Sequence, residues 1–183
     1  NGPFVLEFDV TPVKTYEGAT FRFGIGSDDK DSQKGPLIMA ELANKKGGRL
    51  FYLKTVSREN ALNLVGSSPS AGSVGSTVRY EEETRYHVRL TYYEKDTRAS
   101  LVVQDPESGK TLFTTIAPVS GSMGELTHLF LTSVGDGVPG PQAEGYIDNI
   151  TLTVSGVQPA AEVTTPARET APVTPSTTRA ASM

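Results

Sequence analysis

The chain has 183 residues and a formal net charge of −4, with 17 basic and 21 acidic side chains interspersed. No basic patch alternates with aromatics, which argues against a nucleic-acid partner, and no apolar run approaches the roughly 20 residues of a membrane span. Cysteine is absent, which removes disulfides, thiolate metal sites and cysteine nucleophiles and leans toward a prokaryotic source.

The opening Asn1-Gly2-Pro3-Phe4 carries neither an initiator methionine nor a signal-peptide core, as expected of a mature product or an excised fragment. From there, strand-like alternation recurs along the chain. Phe4, Leu6, Phe8 and Val10 alternate with Val5, Glu7 and Asp9, and Phe21, Phe23 and Ile25 alternate with Thr20, Arg22 and Gly24. Leu37–Leu42, Leu50–Val56, Ala61–Val65 and Thr77–Tyr80 follow, with Lys46-Gly47-Gly48 as a tight connection and Gly66–Gly75 as a Gly/Ser-rich loop. Tyr86, Val88, Leu90 and Tyr92 then alternate with His87, Arg89, Thr91 and Tyr93. Ser100–Gln104 and Thr111–Ile116 flank the turn Asp105-Pro106-Glu107-Ser108-Gly109, and Leu126–Val134 precedes the closing run Tyr146–Val154. β-branched and aromatic residues are enriched in most of these runs, and no long segment has a 3.6-residue period. About ten or eleven short strands at this spacing predict an all-β, two-sheet antiparallel sandwich of jelly-roll type, with the first and last strands as neighbours.

After Val154 the composition shifts abruptly to Pro, Ala, Thr and Ser. Residues 1–155 are therefore read as the sandwich domain, and residues 156–183 as an extended Thr/Pro/Ala-rich stalk or linker tail that buries too little apolar surface to fold alone. A spacer, a glycosylated stalk and an arm that mediates homo-oligomer contacts are all compatible with this composition.

Several passages resemble a known superfamily. Phe4-Val-Leu-Glu-Phe-Asp-Val-Thr-Pro12 resembles the opening strand of concanavalin A-like (laminin-G-like) lectin/glucanase domains. Tyr86–Tyr93 with Ala99–Asp105 and Ser108–Phe113 is similar to their central strand–turn–strand passage, and Gly145–Val154 to their closing strand. The resemblance implies a concanavalin A-like jelly roll over about residues 4–155 and a carbohydrate-related role.

Glu7-Phe8-Asp9 begins the E-x-D-x-x-E pattern by which the glucanase branch pairs its carboxylates, but Pro12 stands where the last carboxylate belongs. No G-x-S-x-G occurs, and His87 and His128 lie on separate strands, so the chain reads as non-enzymatic. Asp148 has the parity of Ile150, Leu152 and Val154, which predicts a carboxylate on the core side of the last strand. By the resemblance, such a residue helps to hold a structural calcium, with Asp9, Glu7 and Asp136 as further candidate ligands; backbone N–H groups at a bend are the alternative. The acidic loop Ser27–Ser32 fails the calcium-loop pattern, because Lys34 takes the glycine position and Ala40 the terminal Glu position.

Tryptophan is absent, so a sugar platform falls to tyrosine. Tyr93, His87 and Arg89 share one polar strand face and Tyr52 with Lys54 another; adjacent strands would merge them into one aromatic–basic surface, the alternative being ordinary cross-strand pairs. Asn149-Ile150-Thr151 is a glycosylation sequon with Asn149 expected to point outward. The expected role is a non-catalytic, extracellular or cell-surface module that recognises glycans or mediates adhesion. The alternative is a self-assembling structural subunit of a filament, sheath or surface layer, built through sheet edges and the tail.

Overall fold

A computed structural model describes residues 2–27, 34–134 and 142–155. Among the described residues there are ten strands: β1 (Phe4–Thr15), β2 (Thr20–Gly26), β3 (Leu37–Lys45), β4 (Gly48–Val56), β5 (Leu62–Gly66), β6 (Tyr86–Tyr93), β7 (Arg98–Gln104), β8 (Thr111–Pro118), β9 (His128–Val134) and β10 (Ala143–Val154). They form two five-stranded sheets, β10-β1-β6-β7-β8 (sheet A) and β5-β4-β3-β2-β9 (sheet B), in which every pairing is antiparallel. As expected from the sequence, the first and last strands are neighbours.

The alternation in the sequence becomes two facing layers. Leu6, Phe8, Val88, Leu90 and Leu101 from sheet A meet Phe21, Phe23, Ile38, Phe51 and Leu53 from sheet B, all almost wholly buried. Aromatic pairs bridge the layers: Phe8 on Phe23, edge to face, with ring centroids 4.6 Å apart, and Phe51 on Tyr86 at 5.1 Å. Such pairs contribute about 0.5–1.5 kcal/mol each beyond area burial. The expected strand at Thr77–Tyr80 does not form. Only Arg79 bridges to Leu50, and Tyr80 instead inserts its ring into the core against Phe51, where its hydroxyl donates to Thr15 Oγ1 at 3.0 Å. Burial of that phenol raises its pKa to about 12.

The parity expected for the closing strand is overturned by one residue. β10 runs in register with β1 as Leu6↔Leu152 and Glu7↔Thr151, then as Asp9↔Asp148 and Val10↔Ile147. Asn149 and Ile150 thus oppose the single residue Phe8, which makes a β-bulge, and Asn149 sits at φ 52. Asparagine tolerates that left-handed conformation better than most side chains. The extra residue shifts the alternation, so Asp148 is exposed on the outer face opposite Asp9, while Ile147 and Ile150 both lie on the inner side. Asp148 therefore does not share a face with Ile150, Leu152 and Val154.

The bulge is fastened to the next strands. Asp9, 6% exposed, accepts hydrogen bonds from Asn149 Nδ2 at 2.6 Å, from His87 Nδ1 at 2.9 Å and from Arg85 Nη2. Burial alone would raise the Asp9 pKa, but these three donors outweigh it and hold the carboxyl below its ordinary 3.8. A depressed carboxyl contributes stability that is complete above the unfolded value and is lost as pH falls through the folded one. Asp9→Ala is expected to cost about 1–3 kcal/mol in urea unfolding at pH 7, by stranding its donors. It should also flatten the acid limb of the stability profile below pH 3.8. An acid limb unchanged in Asp9→Ala would show that another group carries it.

Candidate functional site

The sandwich has two outward faces, and the structure distributes the expected sugar-binding residues between them. His87, Arg89 and Tyr93 lie on β6 in sheet A, whereas Tyr52 lies on β4 in sheet B. The two strands are not adjacent, so no single aromatic–basic surface forms.

On sheet A the groups pair among themselves. His87 is held by Asp9 through Nδ1; a carboxylate only accepts, so that nitrogen carries the proton. Arg89 faces Glu7 with Nε 3.8 Å from Oε1, both side chains open to solvent, a pair worth about 0–1 kcal/mol. The Arg98 guanidinium covers the Tyr93 ring at 5.3 Å from its centroid. Glu7 and Asp9 are each engaged by cationic or N–H groups, so they make no free carboxylate pair on this face.

The calcium expectation meets the same geometry. A hard cation needs six to eight oxygens, yet the atoms that converge on Asp9 are three nitrogens. Among the described residues no group of three His, Asp or Glu side chains is placed to hold a metal, and Asp136 lies outside them, as does most of the Ser27–Ser32 loop. The donor set around Asp9 does not fit calcium. Asn149, the sequon residue, is exposed as expected, with its Nδ2 donated to Asp9.

Sheet B presents a different face. Cross-strand register aligns Thr132 (β9), Arg22 (β2), Glu41 (β3), Tyr52 (β4) and Gly66 (β5) in one row, with Phe130, Gly24, Met39, Lys54 and Leu64 in the next. Arg22, Glu41 and Lys54 are only 5%, 2% and 4% exposed, although they sit on the outward side of the sheet. Met39, Leu37 and Val56 are buried beside them, with Phe130 packed against that cluster. Glu41 Oε1 lies 2.8 Å from Arg22 Nε and 3.6 Å from Lys54 Nζ. The Arg22 N–H is not aimed along the short line, so that contact is an ion pair rather than a hydrogen bond. Burial, partly offset by Glu41, holds the Lys54 pKa below its ordinary range.

Tyr52 borders this trio. One face of its ring rests on Gly66, where a Cβ would come within 2.4 Å of the ring, so the glycine makes room for the aromatic. Burial, reinforced by the Glu41 charge, raises the Tyr52 pKa. The hydroxyls of Thr20 and Thr132 lie near the row, buried and without hydrogen-bond partners among the described residues. A half-buried aromatic ring thus adjoins a buried cluster of two cations and a carboxylate, the kind of flat apolar body against which a sugar ring packs.

Tyr52 and Lys54 were legible from strand parity; Arg22, Glu41, Phe130 and Thr132 were not singled out. A signal existed for Glu41, the one charge inside the apolar run Leu37–Ala43.

No protein-family model matches the chain, and no curated protein sequence does. Solved structures do. The enzymatically active domain of bacteriophage CBA120 tailspike protein 2 superposes at TM-score 0.54 with 14% identity over 83% of this chain and 22% of its own. The alginate lyase of Klebsiella pneumoniae superposes at 0.52 with 11% identity over 85% of this chain and 61% of its own. Peanut lectin superposes at 0.49 with 13% identity, covering 84% and 73%. The chain thus spans less than two thirds of the first two proteins. It shares with the first two a two-sheet antiparallel β-sandwich fold.

Removing one partner from a buried ion cluster leaves charge without compensation, so Glu41→Ala is expected to lose about 3–5 kcal/mol in chemical denaturation. A loss below about 1 kcal/mol would mark the cluster as solvent-screened, like the Arg89–Glu7 pair.

Proposed function

We propose that this chain is a non-catalytic carbohydrate-binding module, extracellular or displayed at a cell surface, whose glycan-contacting surface is the outward face of sheet B. One observation carries the reading: Arg22, Glu41 and Lys54 are buried side by side on an outward sheet face next to Tyr52. Charges on the wet side of a sandwich ordinarily stay in water, as Arg89 and Glu7 do on sheet A. Drawing three of them out of solvent is costly, and well-packed apolar residues would do the structural work as well or better. A function explains their retention. Tyr52, half-buried, supplies the flat apolar body against which a sugar ring packs, and the buried ion cluster beside it holds that ring in place and gives the surface its charge.

The chain shares its fold with a tailspike enzymatically active domain and an alginate lyase. Glycoside hydrolysis generally takes two carboxylates about 5–10 Å apart. Along the two rows described on sheet B the carboxylate is Glu41, clamped between two cations. Binding without turnover is therefore the reading adopted.

The test is an array of neutral and acidic plant and microbial glycans probed with the wild type and with Tyr52→Ala, Lys54→Met and Tyr93→Ala. Tyr52→Ala and Lys54→Met should each weaken binding at least about tenfold, roughly 1.4 kcal/mol, while Tyr93→Ala leaves it unchanged. Loss on Tyr93→Ala alone would move the site to sheet A. Release of reducing ends or unsaturated products from a bound glycan would contradict the non-catalytic reading.

A further inference from the structure

Strands β9 and β10 are the terminal strands of their sheets, and they lie at the same margin of the sandwich. The opposite margin is laced by contacts such as Asn63 Nδ2 to Ser120 Oγ at 3.2 Å. At the β9/β10 margin Ser133 Oγ bonds the Ala143 backbone at one end, donating to its carbonyl at 2.7 Å and accepting from its N–H at 2.8 Å, but beyond that tie inward-directed side chains stay open: Leu129 is 46% exposed, Leu131 53%, Ile150 49% and Leu152 42%. A cavity of about 960 Å³ opens there between the layers, with Phe4, Ile25, Tyr92, Leu129, Leu152 and Val154 in its lining.

The backbone of β10 has a definite polarity. Ser155 N–H donates to the Pro3 carbonyl at 3.0 Å, so Ser155 opposes Pro3 as a hydrogen-bonded position. Antiparallel ladders alternate, so Thr153 and Thr151 also direct their N–H and C=O groups at β1. Val154, Leu152 and Ile150 direct theirs away from β1, toward an edge with which no described strand pairs. Edge strands usually carry a charge, a proline or a bulge that blocks further pairing. Ile150-Thr151-Leu152-Thr153-Val154 has none of these within it; the bulge at Asn149 and the charge of Asp148 lie just before it.

This five-residue stretch also reads the same in both directions: apolar, Thr, apolar, Thr, apolar. Placed antiparallel to its own copy about a two-fold axis at Leu152, it brings Leu152 opposite Leu152, Ile150 opposite Val154 and Thr151 opposite Thr153. Leucine is then the hydrogen-bonded position in both copies, as its outward N–H and C=O require. Apolar side chains meet on the inner side, and threonines meet on the outer side, a favourable cross-strand pair. The charged residues of β10, Glu144 and Asp148, fall outside the paired segment, whereas an axis at Asp148 would oppose two carboxylates.

We infer that the free edge of β10 is a self-association surface, through which two copies of this chain pair Ile150–Val154 antiparallel about Leu152 and join their five-stranded sheets into one. Only a two-fold, isologous contact uses this palindrome on both sides, and it closes at two copies rather than growing into a filament. It also carries the exposed Leu152 and Ile150 of each copy under cover, facing Leu129 and Leu131 of β9.

The experiment combines analytical ultracentrifugation with residue-resolved amide exchange on the full chain, wild type and Leu152→Lys. The wild-type mass should rise from 19.5 kDa toward twice that value over about 1 µM to 1 mM, a weak interface of small area. Leu152→Lys should raise the dimer dissociation constant at least about tenfold. Its melting temperature should be unchanged, because Leu152 is already half exposed. In the wild type, protection of the Leu152 and Val154 amides should grow with concentration and vanish in the variant, while the Thr151 and Thr153 amides stay protected in both. A wild type that remains monomeric overturns the inference. A dimer indifferent to Leu152→Lys overturns it as well, and so does a monomer whose Leu152 amide is already protected, since another segment of the chain would then cover the edge.

Discussion

The negative charge of Glu41, removed from water on the outward side of a sheet, is the constraint on which the reading of this molecule turns. Arg22 and Lys54 answer it from the two flanking strands, and strand register is what delivers them. Moving β2 or β4 by one residue would exchange either cation for an inward-facing phenylalanine, leucine or threonine and leave the carboxylate stranded. The ion cluster therefore depends on the register that the aromatic core sets from the other side, where Phe21 and Phe23 flank Arg22, and Phe51 and Leu53 flank Tyr52.

A second buried carboxylate shows what a structural solution looks like. Asp9 is nearly as inaccessible, yet it receives three aimed donors from two segments, the start of β6 and the bulge of β10, and through Asn149 it fixes the bulge that ends the regular part of β10. Around Glu41 the nearest contact is an ion pair without hydrogen-bond alignment, and threonine hydroxyls nearby are unspent. The first arrangement locks strands together. The second is a strained charge cluster beside an aromatic ring, and that contrast is what supports the proposal of binding at sheet B.

The sandwich, most of its strands and the pairing of the first with the last were readable, because period-two alternation reports directly on which side of a strand meets the core. What alternation cannot report is a residue that breaks it. Strict alternation puts Asp148 on the core side, because nothing in Gly145–Val154 announces the bulge except the pair Asp148-Asn149, two turn-forming residues inside a strand. Tyr52 and Lys54 were visible as an outward pair. Their union with Arg22 and Glu41 needed sheet order, a non-local fact that places β4 beside β3 rather than β6. Glu41 stands out as the one charge inside the apolar run Leu37–Ala43, but the sequence does not say which outward faces are wet.

If the trio is kept for binding rather than for folding, replacing it whole should spare the fold. The direct measurement is equilibrium denaturation of the triple variant Arg22→Met, Glu41→Leu, Lys54→Met. The account predicts a stability equal to the wild type or up to about 1–4 kcal/mol higher, because apolar side chains of similar volume escape the desolvation cost of buried charges. A loss of several kcal/mol would contradict it, and would make Arg22, Glu41 and Lys54 part of the architecture in the way that Asp9 is.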